Sequence, residues 1–227
     1  MLYLTAAAIF LPVSHYGLSS TRLRDVLVGR FGERGYLGFY SLVALGAFGW
    51  LVRAYRHAPL SILWTAPPFL KLAMLPLVLV AFLLVSLGLT TPNPTTVGEE
   101  KLLGNPQVVR GVLRVTRNPF LWGASLWALA HMVVGGDIAG LLLFSSIAVL
   151  GLVGTILLEE KKARRHGADW RAFAALTSNV PFQAILEGRQ RLVWSELGWW
   201  RVALAVALFA LVLWGHRWAF GVSPLPV

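Results

Sequence analysis

The feature that most limits what this chain can become is a recurring run of apolar residues, each near the ~20 needed to cross a bilayer as a helix. Such runs lie at about 2 to 20, 35 to 55, 69 to 90, 119 to 134, 138 to 158 and 199 to 219. Every backbone polar group in hydrocarbon must be satisfied within the segment, so runs of this length are helices. The expectation is an all-α, polytopic integral membrane bundle of about six transmembrane helices. With 57% of residues hydrophobic and only 13% charged, a water-soluble domain is excluded. The fourth run is short and ends in Gly135-Gly136-Asp137. That turn signal predicts a helical hairpin at 119–158, with Asp137 capping its second helix. The first run lacks a basic leading region and a small-x-small cleavage site, so it is expected to be an uncleaved helix. No repeat or long linker divides the chain, and residues 1–227 are expected to form a single domain.

Charge sets an expected orientation. Loops 21 to 34, 91 to 118 and 159 to 201 hold 16 of the 20 Lys and Arg residues. Short basic loops stay cytoplasmic, which predicts both termini outside and, for a bacterial chain, residence in the inner (cytoplasmic) membrane. The net charge of +10 follows from that bias and from attraction to anionic membrane lipids. No soluble basic domain exists to bind nucleic acid.

The chain has no cysteine, which removes disulfides, thiolate nucleophiles, iron–sulfur clusters and covalently attached haem. Histidine and carboxylate chemistry remains. His57, His166 and His216 fall in loops or near a helix end, where interfacial or solvated roles are expected. His15 and His131 lie within spans. An ionisable group there faces the bundle interior and has a partner. Either each is a neutral imidazole bonded to a carbonyl or serine, or the two ligate one metal centre; for the latter, haem b suits an apolar bundle better than a hydrated ion.

His15, Ser19 and Arg22 fall at i, i+4 and i+7, which would put a cation for a haem propionate about two turns from the imidazole. Gly123, Trp127 and His131 form a second stripe, where a glycine lets a flat macrocycle approach and an indole packs on its edge. The same stripe serves ordinary helix packing. Rise per residue places His15 about 8 Å from one helix end and His131 about 18 Å from Pro119, a difference of level that axial ligands of one haem would have to absorb. The segment TSNVPFQAILEGRQ, too polar to cross and too apolar to float free, is expected to fold back on the cytoplasmic mouth. Arg189 would there join Arg22 and Arg117 as a propionate partner.

The blocks VTRNPFLWGASLWALAHMVVGGDIAG at 115–140, TSNVPFQAILEGRQRL at 177–192 and SHYGLSSTRLR at 14–24 together resemble the NnrU family of membrane proteins. That family is similar in turn to 15-cis-zeta-carotene isomerase. The resemblance implies haem b held by His15 and His131. It also implies redox-regulated cis–trans isomerisation of a lipid-soluble polyene entering from the bilayer. The family name comes from denitrification, so binding of a diatomic gas or service to a membrane redox partner is equally implied. Where the family usually has TRHP, this chain has Asn118, which cannot titrate or bind iron as an imidazole does. A rival resemblance runs through Arg117 to Gly123, then Glu159-Glu160, Gly167, Trp170 and Phe173, the pattern of integral-membrane methyltransferases that hold S-adenosylmethionine. A non-catalytic assembly factor for a nitrite or nitric oxide reductase is the third reading.

Overall fold

The protein is described here by a computed structural model, covering residues 1–225. It is all-helical, with no strand among the described residues. The main helices are α1 (Leu2–Ser19), α2 (Arg22–Arg56), α3 (Pro68–Thr90), α4 (Pro119–Gly135) and α5 (Ile138–Leu176). A single turn, α6 (Gln183–Leu186), and the long α7 (Trp199–Phe220) complete the set. Five of these are long and apolar enough to span a membrane, and α4, with 17 residues, is a shorter apolar helix. The chain is thus a polytopic membrane protein of the expected class.

Two helices run beyond their expected limits. Helix α2 begins at Arg22 rather than near 35, because the polar stretch before the span is itself helical and joins it through Gly32 at φ 71. Only glycine takes that left-handed geometry without strain. Helix α5 continues to Leu176 through a similar bend at Gly167, φ 48.

The chain divides into two compact units, Met1–Ala66 with Ala128–Gly154 and Pro67–Trp127 with Thr155 onward. The first is built on Leu4, Ala7, Leu11, Ala47, Leu51 and Leu143, where alanines let the helices approach closely. Pro12 has no N–H to offer the Ala8 carbonyl, and the buried Ser146 hydroxyl of α5 donates to that oxygen at 2.7 Å instead. The hairpin turn forms as expected. Asp137 Oδ1 accepts from Gly140 N at 2.9 Å, and the Gly136 carbonyl accepts from Leu63 and Trp64. A side chain at Gly136 would strike the Trp64 carbonyl, so the glycine is required there.

In the second unit α3 packs on α7, and Leu84, Leu87, Val112, Leu113, Trp170 and Phe173 form the core. The segment after α5 folds back as anticipated: Arg117 N donates to Ser178 O, and Phe182 N to Val115 O.

Candidate functional site

Both intramembrane histidines lie in the first unit. His15 stands near the end of α1, where its Nε2 makes a short hydrogen bond with the Tyr40 hydroxyl of α2. The two rings are 4.9 Å apart, and Tyr40 in turn stacks on Tyr36 at 6.0 Å. Tyr36 donates to the Leu18 carbonyl, one of the oxygens the end of α1 leaves without a helical partner. Its ring also carries the Arg24 guanidinium at 5.0 Å. Arg24 is buried and donates to Glu33 at 2.6 Å. A continuous line of contacts therefore runs from an imidazole in the span to an ion pair at its end.

His131 of α4 packs against Phe144 of α5, ring centroids 5.0 Å apart. Tyr16, beside His15, meets the same helix further along, its hydroxyl 2.8 and 2.9 Å from the carbonyl oxygens of Val149 and Leu150. Five to six residues of α5 separate these contacts, about 8 Å along its axis.

The other expected site residues fall as follows. Arg22 is exposed and shares no helical face with His15, because α1 stops at Ser19 and Thr21 caps a new helix. The i+7 spacing assumed one unbroken helix; the cation turned inward is Arg24, one turn into α2. Gly123 is pressed against α3, where an added Cβ would lie 2.8 Å from the Ala81 carbonyl and 2.9 Å from Val85 N. The space a macrocycle would need against this glycine is filled by helix packing. Trp127, four residues before His131, is half-buried. Arg189 sits at the end of α5, donating to the carbonyls of Ala175 and Thr177 at 2.8 Å and pairing with Glu187. Hydrogen bonds from Arg189 and Gln183 hold Glu187 below the usual carboxylate range.

Arg117 is buried in the second unit, its Nε 2.7 Å from Glu159 Oε1 and its guanidinium over the Trp170 ring at 5.8 Å. Its backbone carbonyl takes Asn93 and Thr95. Of the methyltransferase pattern, Arg117, Glu159, Trp170 and Phe173 come together, with the cation and carboxylate paired to each other, while Glu160 pairs with Arg164 and Gly123 packs on α3. Asn118 donates to Asn179 Oδ1 at 3.1 Å, while its own Oδ1 is buried without a hydrogen bond. Asn179 also takes Trp122 and donates to Thr155.

Sequence reasoning missed Tyr40, Tyr36 and Arg24. Tyr40 and Tyr36 lie at i and i−4, and Arg24 twelve residues earlier. That tyrosine pair inside an apolar run was the available signal, since a buried phenol needs a hydrogen-bond partner. Among the described residues no three His, Asp or Glu gather to hold a metal ion.

Residues 2–224 match the family described as NnrU protein. The 15-cis-zeta-carotene isomerase, chloroplastic, of Arabidopsis thaliana is 36% identical over 86 residues, covering 35% of this chain and 22% of the relative. The enzyme of that name from Zea mays is 32% identical over 85 residues, covering 36% of this chain and again 22% of the relative. The chain therefore matches less than a quarter of the length of either. No solved structure matches.

Proposed function

Because the chain belongs to the NnrU protein family, we propose that it is a membrane-embedded isomerase of hydrophobic polyenes, with His15 and His131 as the ligands of a haem b. The observation that carries this reading is the His15–Tyr40 pair, an imidazole held at a defined orientation inside a membrane span. Two imidazoles in one compact unit, with no third His, Asp or Glu gathered beside them among the described residues, support a porphyrin-bound iron over a bare ion, which needs more protein donors. Bound haem would supply a redox-switchable iron. Holding the group through Nε2 would replace the His15–Tyr40 bond, so Tyr40 would compete with the group for this imidazole. Phe144 fixes the plane of His131, and the apolar helix faces keep water from the site. Substrate would enter laterally from the bilayer.

The test is conversion of a cis-polyene in vesicles holding the purified protein, followed by separation of the isomers. Turnover should require reduced protein, consume no oxygen and vanish in His15→Ala and His131→Ala. Equal conversion by these variants would refute the assignment. The proposed orientation, with basic loops in the bacterial cytoplasm, has its own check. Cysteines placed singly at Ala168 and Ser223 should be labelled from opposite sides of sealed vesicles, and labelling from one side would reject it.

A further inference from the structure

Helix α7 buries little of its surface within the protein, and beside it runs a groove of about 860 Å³. Its walls are Leu83 and Leu87 of α3 and Ala203, Ala207 and Ala210 of α7, with Trp199 at one end. No charged residue lines it. The alanines make a trough rather than a ridge, and from Gly198 to Ala210 it runs about 18 Å along the helix. The volume falls in the range, roughly 300–1,000 Å³, of sites that enclose a small lipophilic molecule.

Outside the lining, but against Gly198 at the end of the trough, lies a cation. The Arg201 guanidinium folds back until its Nη1 lies 3.3 Å from where a Gly198 Cβ would be, and it stacks on Trp200 at 5.1 Å. No carboxylate pairs with it among the described residues, and its enclosed Nε has no hydrogen-bond acceptor. The acid nearest in sequence, Glu196, is committed to Arg114 at 2.7 Å and to Gly111 N at 2.8 Å. The two buried basic side chains of this unit are both matched, Arg117 by Glu159 and Lys162 by Glu100, whereas the half-buried Arg201 is not.

Depth agrees with charge. Trp199 and Trp218 are both exposed and stand nineteen residues apart, about 29 Å on a helix and close to the ~30 Å hydrocarbon core. Exposed tryptophans mark the two interfaces, so Arg201 sits at headgroup level with an apolar trough running inward from it. A guanidinium with unmet donors asks for phosphate oxygens, and the trough asks for a hydrocarbon chain.

We propose that this groove binds one anionic phospholipid, its phosphate on Arg201 and one acyl chain laid between α3 and α7. The full chain, purified in mild detergent, would be titrated with phosphatidylglycerol, phosphatidylcholine or inorganic phosphate, and bound molecules counted by native mass spectrometry. Phosphatidylglycerol should be retained as one added lipid, with phosphatidylcholine and free phosphate at least tenfold weaker. Arg201→Gln should weaken phosphatidylglycerol on the order of tenfold, and Arg201→Lys less, because lysine restores charge without the forked donors. Ala207→Trp, which fills the trough and leaves the cation, should expel the lipid while the helical circular dichroism stays unchanged. Equal retention of both lipids, or full phosphatidylglycerol binding by Arg201→Gln, would overturn the proposal. So would Ala207→Trp breaking an oligomer without losing lipid, since the groove would then hold a second copy of the chain.

Discussion

The two units handle buried polarity in opposite ways. In the second, the buried cations are closed against carboxylates and carbonyls, Arg117 on Glu159 and Lys162 on Glu100 and the Pro94 carbonyl, as is the part-buried Arg114 on Glu196 and Gln190; Arg201 is the exception. In the first, an imidazole inside a span is bonded to a phenol, and the Arg24–Glu33 pair stands at the far end of the tyrosine stack. Closed ion pairs hold a fold and resist change. An imidazole–phenol pair can exchange one partner for a ligand without breaking an ion pair, which is where chemistry is expected. The contrast separates a scaffold from a site.

The largest test of that contrast is Arg117. Removing one member of a mostly buried pair leaves the other uncompensated, so Arg117→Ala or Glu159→Ala should destabilise by about 3–5 kcal/mol. A double change to apolar residues should recover most of this. Thermal unfolding in detergent measures it, and single changes without effect would erase the distinction between the units. Gly123→Ala comes next: it forces α3 from α4 and should cost about 1–3 kcal/mol, with haem content per folded protein unchanged. Haem loss at constant stability would instead return this glycine to the site.

Acid should loosen the second unit first. The Glu196 carboxyl is held at about 2, chiefly by hydrogen bonds from Arg114. A depressed folded pKa contributes stability that is complete above the unfolded value near 4.5 and is lost as pH falls toward 2. The group is only partly buried, so the contribution is about 1 kcal/mol. Stability profiles of the protein and of Arg114→Gln should therefore converge below pH 3, and parallel profiles would contradict the pairing. Smallest in stability is Tyr40→Phe, at about 1 kcal/mol or less. Its signature should be spectroscopic: a shifted haem absorption while the unfolding midpoint barely moves.

Much of the fold was legible because hydrocarbon imposes length and apolarity on each span, and Gly135-Gly136-Asp137 carried both turn and cap. The extensions of α2 and α5 were not, since the polar residues at 22–34 and 159–176 give no apolar period and their bends rest on single glycines. At the site, helix positions singled out His15 and His131 as the histidines within apolar helices. The Tyr40 partner was hidden because it comes from another helix twenty-five residues away. Arg24 was not legible because a spacing argument from His15 to Arg22 cannot see a helix end at Ser19, although Thr21, a good N-cap residue, was in plain view.

The most direct measurement is the absorption spectrum of the purified protein from haem-replete cells, oxidised and then reduced with dithionite, with variants treated identically. A Soret band with sharp reduced α and β bands is expected. It should be lost or converted to a five-coordinate form in His15→Ala and His131→Ala, and kept in His57→Ala, His166→Ala and His216→Ala. A colourless protein, or a spectrum that survives loss of both intramembrane histidines, would contradict the account.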